Sequence, residues 1–99
     1  MTINKTQNGD KTTLALSGRL DTTTAPQLQE TLIPELDAAK QVELDFAELS
    51  YVSSAGLRVL LIGQKTAKAK DSSMTLCNVS GEIMEVFEMT GFADMLTIV

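Results

Sequence analysis

Leu14 and Leu16 alternate with Thr13, Ala15 and Ser17, the period-two pattern of a strand with one buried face. Residues 3–7 and 11–17 flank Asn8-Gly9-Asp10, where Asn and Gly supply the positive φ of a tight loop. The chain therefore opens on a β-hairpin. In 18-GRLDTTTAPQLQETLIPELDAAK-40 the period changes: Leu28, Leu32, Leu36 and Ala39 recur every three or four residues, which predicts a helix. Thr24 followed by Gln27 matches a capping box, and Pro26 suits a first turn. Pro34 has no N–H to donate and restricts Ile33, so a kink or restart is expected there.

Residues 42-VELDF-46 alternate again and predict a strand. The stretch 49-LSYVSSAG-56 leads from it into a second helix, from Leu57 to about Ala69, with Lys65, Lys68 and Lys70 toward its C-terminal end. Met74 to Val79 is a short apolar strand. Ser80 caps a third helix over 82–90, on which Ile83, Val86, Phe87 and Thr90 share a face, and Gly91 stops it. The tail Met95–Val99 is either a last short strand or an apolar extension onto the core. The order β-β-α-β-α-β-α predicts an α/β fold, a mixed sheet of four or five strands with helices packed against it.

Ninety-nine residues, 43% hydrophobic and 21% charged, suit one domain with a single core. The net charge of −5 argues against unaided binding to nucleic acid or to an anionic membrane, which basic patches attract. No apolar run approaches the ~20 residues of a membrane span, and Met-Thr-Ile-Asn-Lys has no apolar segment behind it to read as a secretory signal. A cytoplasmic protein is expected, with a monomer favoured.

The absence of histidine removes zinc fingers and every His-based triad, and the single cysteine removes an internal disulfide. No metal or cofactor is expected, and no catalytic residue. Glu43 and Asp45, two apart on a strand, read as its solvent face. Asp45 is the one candidate for a phosphoacceptor aspartate, but it precedes Phe46 inside the strand pattern. Cys77, in an apolar strand, reads as a buried inert thiol. Ser-Ser-Ala-Gly is not the Gly-x-Ser-x-Gly elbow of a hydrolase, so a hydrolase acting through Ser54 ranks last.

The remaining chemistry is the pair of serines in 53-SSAGLRVLL-61. A serine is a favoured N-cap, worth ~1 kcal/mol over alanine. Ser53 in that role places Ser54, Ala55 and Gly56 at the first three helical positions. The Ser54 hydroxyl is then free and outward-facing, and small Ala55 and Gly56 leave the helix start open to a close partner. That arrangement suits a docking surface or a kinase target.

The stretch 45-DFAELSYVSSAGLRVLL-61 resembles the signature of STAS domains, in particular the bacterial anti-sigma factor antagonists. Upstream, 18-GRLDTTTAPQL-28 resembles the Gly-x-Leu-Asp segment before that family's first helix, and length and element order match over residues 1–99. The resemblance implies a non-enzymatic protein that binds an anti-sigma factor serine kinase and so frees a sigma factor. It also implies a phosphoserine at Ser54 that switches binding off, with a serine phosphatase to reverse it. The partner surface it implies comprises Asp21, Thr22, Thr23, Thr24, Ser53, Ser54, Ala55, Gly56 and Arg58. Two positions depart from the pattern. Ser53 stands where the family has an acid, which makes it a rival phosphosite, and Ala55 stands where the family has Ser or Thr. The alternative is a STAS subunit or scaffold of a transport or signalling complex, in which Ser54 is a contact without phosphorylation.

Overall fold

The computed structural model describes residues 1–99. Four strands, β1 (Thr2–Asn8), β2 (Lys11–Leu20), β3 (Gln41–Val52) and β4 (Ser73–Cys77), form one sheet in the order β1-β2-β3-β4. Helices α1 (Ala25–Ala38), α2 (Ser54–Ala69) and α3 (Gly81–Thr90) follow β2, β3 and β4 respectively. β1 and β2 are antiparallel, and β2-β3 and β3-β4 are parallel. The strand order never reverses. Crossovers of one hand that step in one direction place their helices on one face of the sheet. The burial pattern agrees: Leu14, Leu16, Val42, Leu44, Met74 and Leu76 are buried, while Thr13, Ala15, Glu43, Asp45, Thr75 and Cys77 on the other face are half-exposed. With no reversal there is also no switch-point crevice of the kind that holds nucleotides in doubly wound sheets.

The core forms where the Leu28, Leu32 and Leu36 stripe of α1 and the Leu57, Leu60 and Ala67 stripe of α2 meet that leucine-rich face. Phe87 of α3 closes one side against Phe46, with ring centroids 6.4 Å apart at 53°. The tail adds a single parallel bridge, Leu76 to Ile98, at the β4 edge after a short 3₁₀ turn at Phe92–Asp94. It is thus a tether rather than a full strand. Val99 N–H donates to the Leu76 carbonyl and Leu76 N–H to that of Thr97, both at 2.9 Å.

Several elements differ from the pattern-based expectation. The hairpin loop is Gly9-Asp10 alone, because Asn8 pairs with Lys11, and only Gly9 takes a positive φ (63°). β3 does not stop at Phe46 but runs on to Val52. Between Ala15 and Ser17, and again between Gly18 and Arg19, β3 uses one residue more than β2. Each bulge resets the alternation, so Phe46, Leu49 and Val52 all point inward despite odd spacing. α1 is continuous across Pro34, with no restart. Pro34 lies on the exposed side, where water can bond the unpaired Glu30 carbonyl. β4 ends at Cys77, because Asn78 turns away with φ 55°.

The approach of α2 is close enough to demand glycine at two inward positions a heptad apart. A Cβ on Gly63 would lie 2.7 Å from Leu32 Cδ2 and 2.8 Å from the Met74 sulfur. A Cβ on Gly56 would lie 2.7 Å from Leu20 Cγ and 3.1 Å from the Leu20 carbonyl oxygen. Alanine gains ~1 kcal/mol of helix propensity, but overpacking costs ~1–3 kcal/mol. Gly56→Ala has the larger net cost, because backbone cannot swing aside as the Met74 and Leu32 side chains can. Urea denaturation is expected to rank the proteins wild type, Gly63→Ala, Gly56→Ala in falling midpoint; a Gly56→Ala midpoint at or above wild type would contradict this packing.

Candidate functional site

β2 and β3 end side by side, with Leu20 opposite Val52, and Ser53 N–H donates to the Leu20 carbonyl at 2.8 Å. The loops that follow, and the first turns of α1 and α2, therefore meet at the C-terminal end of the parallel strands. Ser53 takes an extended backbone (φ −91°, ψ 174°), and its Oγ accepts from Gly56 N–H at 3.3 Å. It is the N-cap of α2. Ser54 is the first helical residue; it is exposed, and its hydroxyl has no hydrogen-bond partner within the chain.

The loop before α1 is built differently from the expected capping box. Thr24 already has a helical backbone (φ −101°, ψ −17°), which turns its hydroxyl away from the first-turn amides. That hydroxyl donates to the Arg19 carbonyl and accepts from Asp21 N–H, both at 2.8 Å. Gln27 reaches the Met1 carbonyl at 3.2 Å instead. Asp21 takes over the capping. Its Oδ1 accepts from Thr23 N–H at 3.0 Å, Thr24 N–H at 3.2 Å and the Thr23 hydroxyl at 2.7 Å. The Asp21 carbonyl accepts from Ala25 N–H at 2.8 Å. The Thr23 hydroxyl and the two amides hold the Asp21 carboxyl below the ordinary aspartate range, outweighing partial desolvation. Arg19 completes this knot, 3.8 Å from Asp21 Oδ2 and 4.2 Å above the Tyr51 ring.

Between the two first turns lies an open groove of about 270 Å³. Thr22, Pro26 and Gln29 line it from the α1 side, and Ser54, Ala55 and Arg58 from α2, with Ala25 and Val59 at its floor. The geometry divides the expected surface in two. Thr22, Ser54, Ala55 and Arg58 share the groove. Beside it, Asp21, Thr24 and Ser53 are spent on backbone groups, and the Thr23 hydroxyl on the Asp21 carboxylate. Gly56 is buried against Leu20, so its smallness serves internal packing rather than an open approach. Pro26, Gln29 and the Arg19–Tyr51 stack escaped sequence reasoning. Gln29 is one turn beyond Pro26 on the α1 face adjoining Ala25, a relation that becomes legible only once α1 and α2 are known to be neighbours.

A family model described as "Mlab, STAS domain" matches residues 3–98. The chain belongs to the STAS domain family. BtrV of Bordetella bronchiseptica, named as an anti-sigma factor antagonist, is 34% identical over 84 residues, covering 84% of this chain and 72% of that one. The anti-sigma-B factor antagonist of Bacillus subtilis is 29% identical, covering 93% and 84%. The anti-sigma factor antagonist SpoIIAA shares the fold, with TM-scores of 0.82 unphosphorylated and 0.77 phosphorylated, at 18% and 19% identity and over 99% of this chain; the matches cover 88% and 91% of the respective SpoIIAA chains. The resemblance of residues 18–28 and 45–61 thus pointed to the right family, and the α/β sheet with three helices is the STAS architecture.

Two other candidates fall outside the groove. Asp45 sits on the open sheet face, its Oδ1 accepting from Ala47 N–H at 2.9 Å and from the Asn78 amide at 3.0 Å. Cys77 lies half-buried on that polar face, not in the apolar core. Desolvation first, then the nearby Glu43 and Asp45 carboxylates, push its thiol up to about 11, which favours the neutral form at pH 7. No helix is long and apolar enough to cross a membrane.

The Asp21 knot carries a pH signature. A carboxyl whose folded pKa is depressed contributes stability that is complete above its unfolded pKa of ~3.9 and lost as pH falls through the lowered value. Carbon-detected NMR titration is expected to place Asp21 below ordinary aspartates, and Thr23→Ala to move it upward. An Asp21 midpoint at or above the ordinary value would refute the capping role.

Proposed function

We propose that this STAS domain is a cytoplasmic, non-enzymatic anti-sigma factor antagonist, residues 1–99 acting as one module. Its α1–α2 groove receives an anti-sigma factor that is also a serine kinase, and phosphorylation of Ser54 ends the complex until a serine phosphatase restores it. The observation that carries this reading is the position of Ser54: exposed, unbonded, first in its helix and at the mouth of the groove. The rival, Ser53, is half-buried and already bonded to Gly56 N–H, so its modification would break the helix cap. The relatives' names support the antagonist role, and SpoIIAA is known in a phosphorylated form.

The switch follows from where charge is placed. In the transfer, Ser54 Oγ bonds to the γ-phosphorus of ATP, the bond to ADP breaks, and the hydroxyl proton passes to a base on the kinase. The ester brings about −1.5 to −2 charges. In the free chain these remain in water at a helix start, whose dipole favours anions by ~0.3–1 kcal/mol. Pressed into a closed interface they incur a desolvation cost of several kcal/mol. Each ~1.4 kcal/mol is tenfold in affinity, so binding falls by about a hundredfold or more.

A STAS subunit without phosphorylation is the second reading, favoured by one observation: Ser53 and Ala55 replace the polar or acidic neighbours that the family pattern gives a kinase. Calorimetry with the cognate anti-sigma factor, plus ATP and peptide mass spectrometry, separates the two. The antagonist reading predicts phosphate on Ser54, and an affinity for Ser54→Asp about a hundredfold below that of Ser54→Ala. Equal affinities and no phosphate at Ser54 would establish the second.

A further inference from the structure

Arg58 is the cation that the Ser54 switch leaves unexplained. Of eight Lys and Arg residues, four are held in ion pairs: Lys5 with Glu35, Lys11 with Glu43, Arg19 with Asp21 and Lys70 with Asp37. Lys40, Lys65 and Lys68 lie toward the other end of the molecule, at the end of α1 and the C-terminal half of α2. Arg58 alone is an unpaired side-chain cation at the groove. It is exposed, follows Ser54 by four residues on α2, and lines the same groove. Residues at this spacing are neighbours on a helix surface, and an anion N-terminal to the cation is the favourable order. A guanidinium matches phosphate oxygens two at a time. Gln29, across the groove on α1, offers an amide donor to the same place.

We infer that Arg58 is an intramolecular clamp for a phosphate on Ser54. This rests on the reading of Ser54 as the modified serine and names what the chain does with the modification. Before phosphorylation Arg58 projects into the groove and is available to acceptor groups of a docked partner. Afterwards it turns onto the phosphate on its own helix. Modification thus adds an anion and withdraws a cation in one event, and the phosphorylated form is partnered without any other protein. The clamp is local and needs no rearrangement of the fold.

The test installs phosphoserine at position 54 by genetic encoding, so that no kinase is needed. The second ionisation of the phosphate is then followed by ³¹P NMR. Free phosphoserine loses this proton near pH ~6. With Arg58 present the midpoint is expected lower by about half a pH unit than in Arg58→Ala, with Arg58→Lys between them. Salt at about 1 M is expected to shrink the difference, because the pair is exposed. Arg58 is exposed, so circular dichroism is expected to show all three proteins folded. Identical midpoints in wild type and Arg58→Ala would overturn the clamp. A kinase that ignores Ser54 would instead overturn the antagonist reading and leave this titration unchanged.

Discussion

The junction between Leu20 and the start of α2 sets the rest of the structure. Ser53 N–H bonds the Leu20 carbonyl, and Gly56 lies so close over Leu20 that no side chain fits between them. This contact holds the ends of β2 and β3 level. Because both strands are parallel and both helices cross the same face, level strand ends mean level helix starts. The groove between α1 and α2 is the space left where those two starts cannot touch. A larger residue at position 56 would lift α2 from Leu20 and change the width of the groove before it touched any partner.

Seen this way, the motif 53-SSAG-56 combines two tasks on alternate sides of one turn. Ser53 and Gly56 face inward, as a cap for the helix and as clearance for Leu20. Ser54 faces outward with an unspent hydroxyl, and Arg58 follows it one turn later. The Asp21 loop repeats the division: the side chains of Asp21, Thr23 and Thr24 are consumed by bonds within the loop and to Arg19, which leaves Thr22 to face the groove. A rigid frame of satisfied hydrogen bonds presents a few unsatisfied groups, and only the latter are free to meet another molecule.

Much of this was legible in the sequence because it depends on local chemistry. The Leu28, Leu32, Leu36 spacing, the Ser53 and Ser80 caps and the Gly91 stop are each decided within a turn or two of chain. The misreadings have non-local causes. β3 looked too short because two bulges, defined only against β2, break its alternation. Thr24 looked like a cap because its spacing to Gln27 is right, but the turn had already begun at Asp21. Gly56 looked like an opening because its neighbour Leu20 is far away in sequence. Cys77 looked apolar because Glu43 and Asp45 come beside it only through strand pairing. Arg58 drew attention through the resemblance alone; its significance lies in the carboxylate it lacks, which only the folded chain reveals.

On the proposed function, the helix-start groove, and not the open polar face of the sheet, is the surface that meets the anti-sigma factor. Amide chemical-shift mapping during titration with the cognate anti-sigma factor tests it most directly. Shifts are expected to concentrate at Thr22, Gln29, Ser54, Ala55 and Arg58, with Thr13, Glu43, Thr75 and Cys77 unmoved. Shifts confined to the open sheet face, with the groove silent, would contradict it.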